Sequence, residues 1–276
     1  MACLTGCSDA VAKLKDSKEV VLSIGKETIT KGDLFTSMKQ SFGASTVNSM
    51  ALKQITAIEV PIDDNMKKTA QDTLTSYKSM YGDGWGPYLA KIGMNEEQYI
   101  NEYLVPAQQA KKLAEKYISD NFDAIVKKYQ PVQATVVSFT SEQDANAALA
   151  ELKGGNQDVV AVGKAHNSSN TLFQQIFTLN SKKIDALVRN AIQSQTVEAG
   201  WTSVKSSDGA SFNLVRVDSK DSNAFKPAAI DIFKKDQSIT SDSNNFYFKK
   251  YNFHVYDKVI YDALKTDFPN TLVQDK

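Results

Sequence analysis

The stretch 132-VQATVVSF-139 decides how this chain is read. Its β-branched and alternating side chains give a strand. Working outward, Ser141 and Asp144 mark the start of a helix with Ala145, Ala148, Leu149 and Leu152 facing inward, and Gly154-Gly155 ends it. Residues 157-QDVVAVGKAHN-167 give a short second helix. Ser181 is the expected cap of a third, with Ile184, Leu187, Val188, Ala191 and Ile192 on one face. The segment 209-GASFNLVRVD-218 closes the module as a strand. Residues 131–219 therefore read as a small β-α-α-α-β unit, bounded by Gln130-Pro131 and by 218-DSKDSN-223. On both sides the pattern is almost wholly helical. The expected class is α+β: a discontinuous, mainly helical domain from residues 20–130 and 220–276, interrupted by an inserted α/β domain at 131–219.

The helical part opens with 20-VVLSIGKETIT-30, a strand that turns at Gly25-Lys26. Thr30 and Asp33 form a capping box for a helix carrying Leu34, Phe35, Met38 and Phe42 on one face. A second helix is expected over 45–59, ending at Pro61, and Asp63 caps the next. In that helix Met66, Ala70, Leu74, Tyr77 and Tyr81 recur at helical spacing. Gly82, Gly84 and Gly86 break it, and a short turn carries Trp85, Tyr88, Leu89 and Ile92. Asn95 with Gln98 caps a last helix reaching to about Ile118, kinked at Pro106. Its Tyr99, Tyr103 and Tyr117 either pack between helices or wall a groove for unfolded chains.

Composition excludes several classes. Lys+Arg and Asp+Glu both number 32, so there is no basic excess for nucleic acid. No run of about 18 apolar residues crosses a membrane. The two cysteines, Cys3 and Cys7, lie at the very start, which rules out a disulfide framework or cysteine zinc site in the body. Two histidines, His166 and His254, leave little for a histidine metal centre or triad, and no EF-hand spacing occurs. No metal and no cofactor is expected. His166 reads as a surface side chain at a helix end, and His254 as a structural residue of a final strand.

Two resemblances carry function. The segment 4-LTGC-7 resembles the lipobox of bacterial lipoproteins, which implies lipidation of Cys7, with 8-SDAVAKLKDSKE-19 as a tether. Acyl chains hold a protein on a membrane through about 0.8 kcal/mol per buried methylene. The basic and apolar regions that precede a lipobox are missing from this sequence. The motifs 24-IGKETIT-30 and 93-GMNEEQY-99, with 61-PIDDNMKKTAQ-71 between them, resemble the chaperone region of the PrsA foldases and SurA. Asn95 stands where Ser or Thr is usual. The terminal 246-FYFKKYNFHVYDKVIYDALKTDF-268 resembles the strand and helix by which that region closes on itself.

The module at 131–219 likewise resembles a parvulin-type peptidyl-prolyl isomerase. That family keeps a His in its first strand, a His in its last, and a Met and a Phe around the third helix. Laid on 134-ATVVSF-139 and 209-GASFNLV-215, those positions are Val136 and Asn213, with Lys183 and Leu187 near the Met and Phe. No catalytic side chain of the family is retained. The resemblance implies an extracytoplasmic, lipid-anchored folding chaperone of a Gram-positive bacterium, with a degenerate isomerase domain. Client-binding candidates are Tyr77, Tyr81, Trp85, Tyr88, Tyr99 and Tyr103. Expected partners are unfolded secreted proteins and, through Cys7, a membrane; a homodimer is possible and nucleic acid is not expected. An isomerase with an altered site and a lipoprotein serving one partner are the alternatives.

Overall fold

The computed structural model describes residues 11–274, so Cys3 and Cys7 lie outside the described residues. They fall into two compact units. The first runs through Tyr117 and resumes at Gln237; the second is Ile118–Asp236.

The first unit opens with an antiparallel hairpin, β1 (Val20–Ile24) and β2 (Glu27–Thr30), with Gly25 at φ +61° in its turn. Glycine adopts that backbone without steric cost. Thr30 and Asp33 close the expected capping box on α1 (Lys31–Glu59). Two helices were expected here, and one of 29 residues forms. Gly43 does not break it. A Cβ there would lie 3.3 Å from Lys39 Cγ and 3.4 Å from Ile260 Cγ1, so the glycine permits close packing.

Asp63 accepts from Met66 N and starts α2 (Asp64–Tyr81). A 3₁₀ turn (Gly82–Gly84) leads to α3 (Trp85–Lys91). The Asn95/Gln98 capping box opens α4 (Glu96–Tyr99). A π-helical turn (Ile100–Leu104) follows, then α5 (Val105–Asp120). The disturbance expected at Pro106 thus appears as the wide turn just before it. Proline has no N–H to give to residue 102, and a π turn accommodates the missing bond.

The second unit begins with α6 (Phe122–Tyr129) and β3 (Val132–Phe139). Then come α7 (Glu142–Lys153), α8 (Val159–Ala165), β4 (Asn170–Phe177), α9 (Ala186–Ser194), β5 (Thr202–Lys205), β6 (Phe212–Ser219) and α10 (Lys226–Phe233). It takes in helices on both sides of residues 131–219. The sheet is antiparallel throughout, in the order β4-β3-β6-β5. Val137, Phe139 and Leu214 pack against Ala145, Ala148 and Val162 on one face. Val136, Val215 and Val217 pack against Val188 and Ile192 of α9 on the other.

Two strands, β4 and β5, are absent from the β-α-α-α-β reading. β4 is an edge strand, kinked where Gln174 takes φ +48° and the register with β3 shifts between Ala134 and Val136. Its apolar residues do not alternate, so the period is hidden. β5 is only four residues long. The cap of α9 is Asp185, which accepts from Leu187 N and Val188 N. Ser181 Oγ instead accepts from Thr178 N at 2.8 Å and closes a turn ahead of the helix.

The chain then returns to the first unit with α11 (Gln237–Lys250) and α12 (Lys258–Asp267). The expected strand beginning at Phe246 does not form. Tyr247 and Phe248 are fully buried within α11, against Ile55, Met66 and Leu113. Burial on one helical face overrides the strand preference of the aromatic run. His254 consequently lies in the irregular stretch before α12, its ring 4.7 Å from that of Tyr256. Among the described residues no helix is long and apolar enough to cross a membrane.

Candidate functional site

The first unit gathers six aromatic side chains into one cluster. Tyr77 and Tyr81 are one turn apart at the end of α2; the 3₁₀ turn reverses the chain, so Trp85 and Tyr88 of α3 come back against them. Tyr99 and Tyr103, again four residues apart, enter from α4 and the π turn. Trp85 is the hub. Its ring centre lies 6.1 Å from Tyr77, 5.9 Å from Tyr81, 5.6 Å from Tyr88 and 5.2 Å, edge-on, from Tyr99. Tyr81 stacks on Tyr88 at 5.9 Å, and Tyr99 on Tyr103 at 5.2 Å. Such pairs add about 0.5–1.5 kcal/mol each beyond area burial.

The cluster has a dry floor and a wet rim. Trp85 is 4% exposed, and its Nε1 has no hydrogen-bond partner among the described residues. Tyr81 and Tyr103 are half exposed and Tyr88 nearly so. Burial, then the neighbouring tyrosines, pushes the Tyr99 phenol above its ordinary pKa. A row of accessible rings on a rigid buried base offers apolar area and hydroxyls with little side-chain entropy to lose. Tyr117, grouped with Tyr99 and Tyr103 in the sequence, is not part of this cluster. It packs on Phe246 at 5.4 Å beside a different core, and burial raises its phenol pKa.

In the second unit, Val136 and Asn213 share the sheet face that carries α9. Val136 pairs with Val215 and Asn213 with Ser138, so the two are diagonal neighbours. Val136 is fully enclosed among Val188, Ile192 and Val215 and offers no polar atom. Asn213 is buried, and its amide is satisfied locally. Ser138 Oγ donates to its Oδ1 at 2.7 Å, while its Nδ2 donates to the Val204 carbonyl and to Ser211 Oγ, both at 3.3 Å. Ser138 was missed in the sequence; the signal available was its place two residues beyond Val136 on the same strand.

Lys183 and Leu187 are both exposed, so they build no pocket with Val136 and Asn213. Asp185 between them faces another way. Its carboxylate accepts from Ser207 Oγ and from Ser207 N at 3.1 Å, which ties the β5–β6 turn to the start of α9. The Ser207 hydroxyl is the main cause of a lowered Asp185 pKa. His166 ends α8 and meets Glu151 Oε2 of α7 at 2.8 Å, outside this face. That contact holds the Glu151 carboxyl below its usual range. Among the described residues no three His, Cys, Asp or Glu side chains group as a metal site would.

No family model matches the chain. The foldase protein PrsA of Streptococcus sanguinis is 27% identical over 175 residues, covering 61% of this chain and 50% of that protein. PrsA of Lacticaseibacillus paracasei is 24% identical over 198 residues, 68% of this chain and 63% of the relative. A crystal structure of a peptidylprolyl isomerase, PrsA, from Bacillus cereus superposes with a TM-score of 0.52 at 14% identity, over 91% of this chain and 99% of that one. The chain is PrsA-like in sequence and in fold. The matches span between half and two thirds of these curated relatives' length.

Proposed function

We propose that this protein is a folding chaperone of the PrsA type, held on the extracytoplasmic face of the membrane by acyl chains on Cys7, and that its parvulin-like domain no longer isomerises prolyl bonds. The observation that carries the chaperone reading is the Trp85-centred aromatic cluster with its three accessible rings. An unfolded segment presents apolar side chains without fixed spacing, and an aromatic platform accepts these with little demand on geometry. The enclosed Val136 and the self-satisfied Asn213 support the loss of isomerase chemistry. Clients are unfolded or partly folded secreted proteins. The alternatives from the sequence, an altered isomerase and a lipoprotein with one partner, are separated by activity and by client range.

The test is suppression of aggregation by a chemically unfolded client. The unaltered protein should delay light scattering with several unrelated clients. Tyr81→Ser with Tyr88→Ser should lower that capacity by about five- to thirtyfold, since two exposed anchors of roughly 0.5–1 kcal/mol each are lost. Trp85 stays in place, so the fold should survive. Equal protection by the double variant would overturn the assignment of this surface, and protection of one client alone would favour the single-partner reading.

We also propose that residues 131–219 are an inserted domain. Joining Gln130 to Lys220 through a short Gly-Ser linker should leave a first unit that keeps its helical circular dichroism and melts cooperatively. Loss of both would refute the insertion.

A further inference from the structure

We propose that the β1–β2 hairpin, with the segment that leads into it, is a contact surface for an anionic lipid bilayer. The proposal rests on the anchoring reading above and names what the anchored protein touches. Leu22 and Ile29 are paired across the hairpin, and Ile24 follows on the same face at its tip. They are 47%, 43% and 70% exposed. A hairpin of two strands gains little stability alone, and three large apolar side chains on one open face need a cover.

Charge says which cover. Lys13, Lys15 and Lys18 precede the hairpin and Lys26 sits in its turn, all exposed and, among the described residues, in no ion pair. The opposing acids are Asp16 and Glu27, because Glu19 is ion-paired with Lys31. Apolar side chains next to a lysine-bearing segment and turn, with Glu27 across from Ile24, suit the boundary between acyl chains and anionic headgroups.

The segment is also placed, not loose. Ala12 N donates to Asp257 Oδ2 at 2.6 Å, Gly32 N to Ser17 O at 2.8 Å, and Lys31 N to Glu19 O at 2.8 Å. A Cβ on Gly32 would come within 3.0 Å of Ser17 O, so the glycine permits this docking. Cys7 lies five residue steps before Ala12, a reach of at most about 18 Å. Acyl chains on Cys7 would therefore hold this edge of the first unit close to the headgroups. Within the expected tether, Ala12, Ser17 and Glu19 are thus hydrogen-bonded to the body.

The experiment uses the full chain with Cys3→Ser and Cys7→Ser, so that no acyl group contributes. It is sedimented with large vesicles of phosphatidylglycerol or of phosphatidylcholine at low salt. The protein should pellet with the anionic vesicles and be released by salt. Ile24→Asp should weaken that partitioning by about tenfold or more, as should Lys13→Glu, Lys15→Glu and Lys18→Glu together, at about fivefold per charge near the surface. Circular dichroism of each variant should match the parent. No binding to phosphatidylglycerol, or binding indifferent to Ile24→Asp and to the charge reversals, would overturn the proposal. So would an Ile24→Asp variant that dissolves a dimer while binding vesicles as before, since the face would then belong to a second copy. The anchoring reading is read separately. With a signal sequence restored and membranes washed in high salt, Cys7→Ala should release the protein and Cys3→Ala should not. Retention of both variants would sink the anchor and leave the vesicle result standing.

Discussion

A short prolyl peptide mixed with this protein should pass from cis to trans at close to its uncatalysed rate. The barrier is about 18–20 kcal/mol. An isomerase lowers it only through interactions stronger in the twisted state than in either planar one. Such interactions need polar groups free to engage the twisting amide beside an apolar seat for the ring. Val136 has no polar group and is enclosed by Val188 and Ile192. Asn213 is already committed to Ser138, Val204 and Ser211. Lys183 and Leu187 lie exposed and form no seat. Each 1.36 kcal/mol of lost differential stabilisation is a factor of ten, so a loss of roughly 4 kcal/mol removes about three orders of magnitude of rate. The measurement is the cis-to-trans rate over a range of protein concentrations. A clear acceleration that vanishes on changing Leu187 or Asn213 would establish an active, altered isomerase.

Lys39→Ala should destabilise the first unit by about 3–5 kcal/mol. Lys39 Nζ lies 3.0 Å from Asp257 Oδ2, and both side chains are less than a tenth exposed. Asp257 is a hub. Its Oδ2 also accepts from Ala12 N at 2.6 Å, and its Oδ1 caps α12 through Val259 N and Ile260 N at 3.0 and 3.1 Å. Removing the ammonium leaves a buried carboxylate without its counter-charge, which costs more than the pair itself contributes. Lys39→Met with Asp257→Ser, which keeps a capping oxygen, should therefore be less damaging than Lys39→Ala. The urea midpoint reports this, followed by Trp85 fluorescence in a Trp201→Phe background. An unfolding free energy for Lys39→Ala within about 0.5 kcal/mol of the parent's would refute the cost assigned to the buried pair.

The same carboxylate sets an acid response. Burial pushes the Asp257 pKa up, but the hydrogen bonds from Ala12 and Lys39 outweigh it, and the folded value falls below the ordinary one. Its stabilising contribution is thus complete above an unfolded pKa of about 3.9 and is lost as pH falls through the lower folded value. Asp257→Asn should flatten that part of the stability profile.

The sequence by itself determined the local starts and the core strands. Thr30 with Asp33, Asp63, Asn95 with Gln98, and Ser141 each cap the helix expected of them. Each of these caps is complete within four residues, so its partners are all present in the local sequence. β3 and β6 were legible because β-branched and apolar side chains recur with a strand's alternation through each of them. The aromatic residues of the cluster were legible as a set, but their convergence was not, since it depends on how the 3₁₀ turn and the π turn aim α3 and α4.

Tertiary structure decided the rest. Gly43 continues α1 because Ile260 packs against it, and 246-FYF-248 is helical because a core receives Tyr247 and Phe248. β4 and β5 exist because β3 and β6 offer them free edges. Asp185 takes the cap from Ser181 because Ser207 and the start of α9 both lie within its reach. The Lys39–Asp257 pair spans 218 residues of sequence. In each case the deciding partner is remote in the chain, and the free energy of burial or pairing exceeds the local preference of well under 1 kcal/mol per residue that a sequence reading uses.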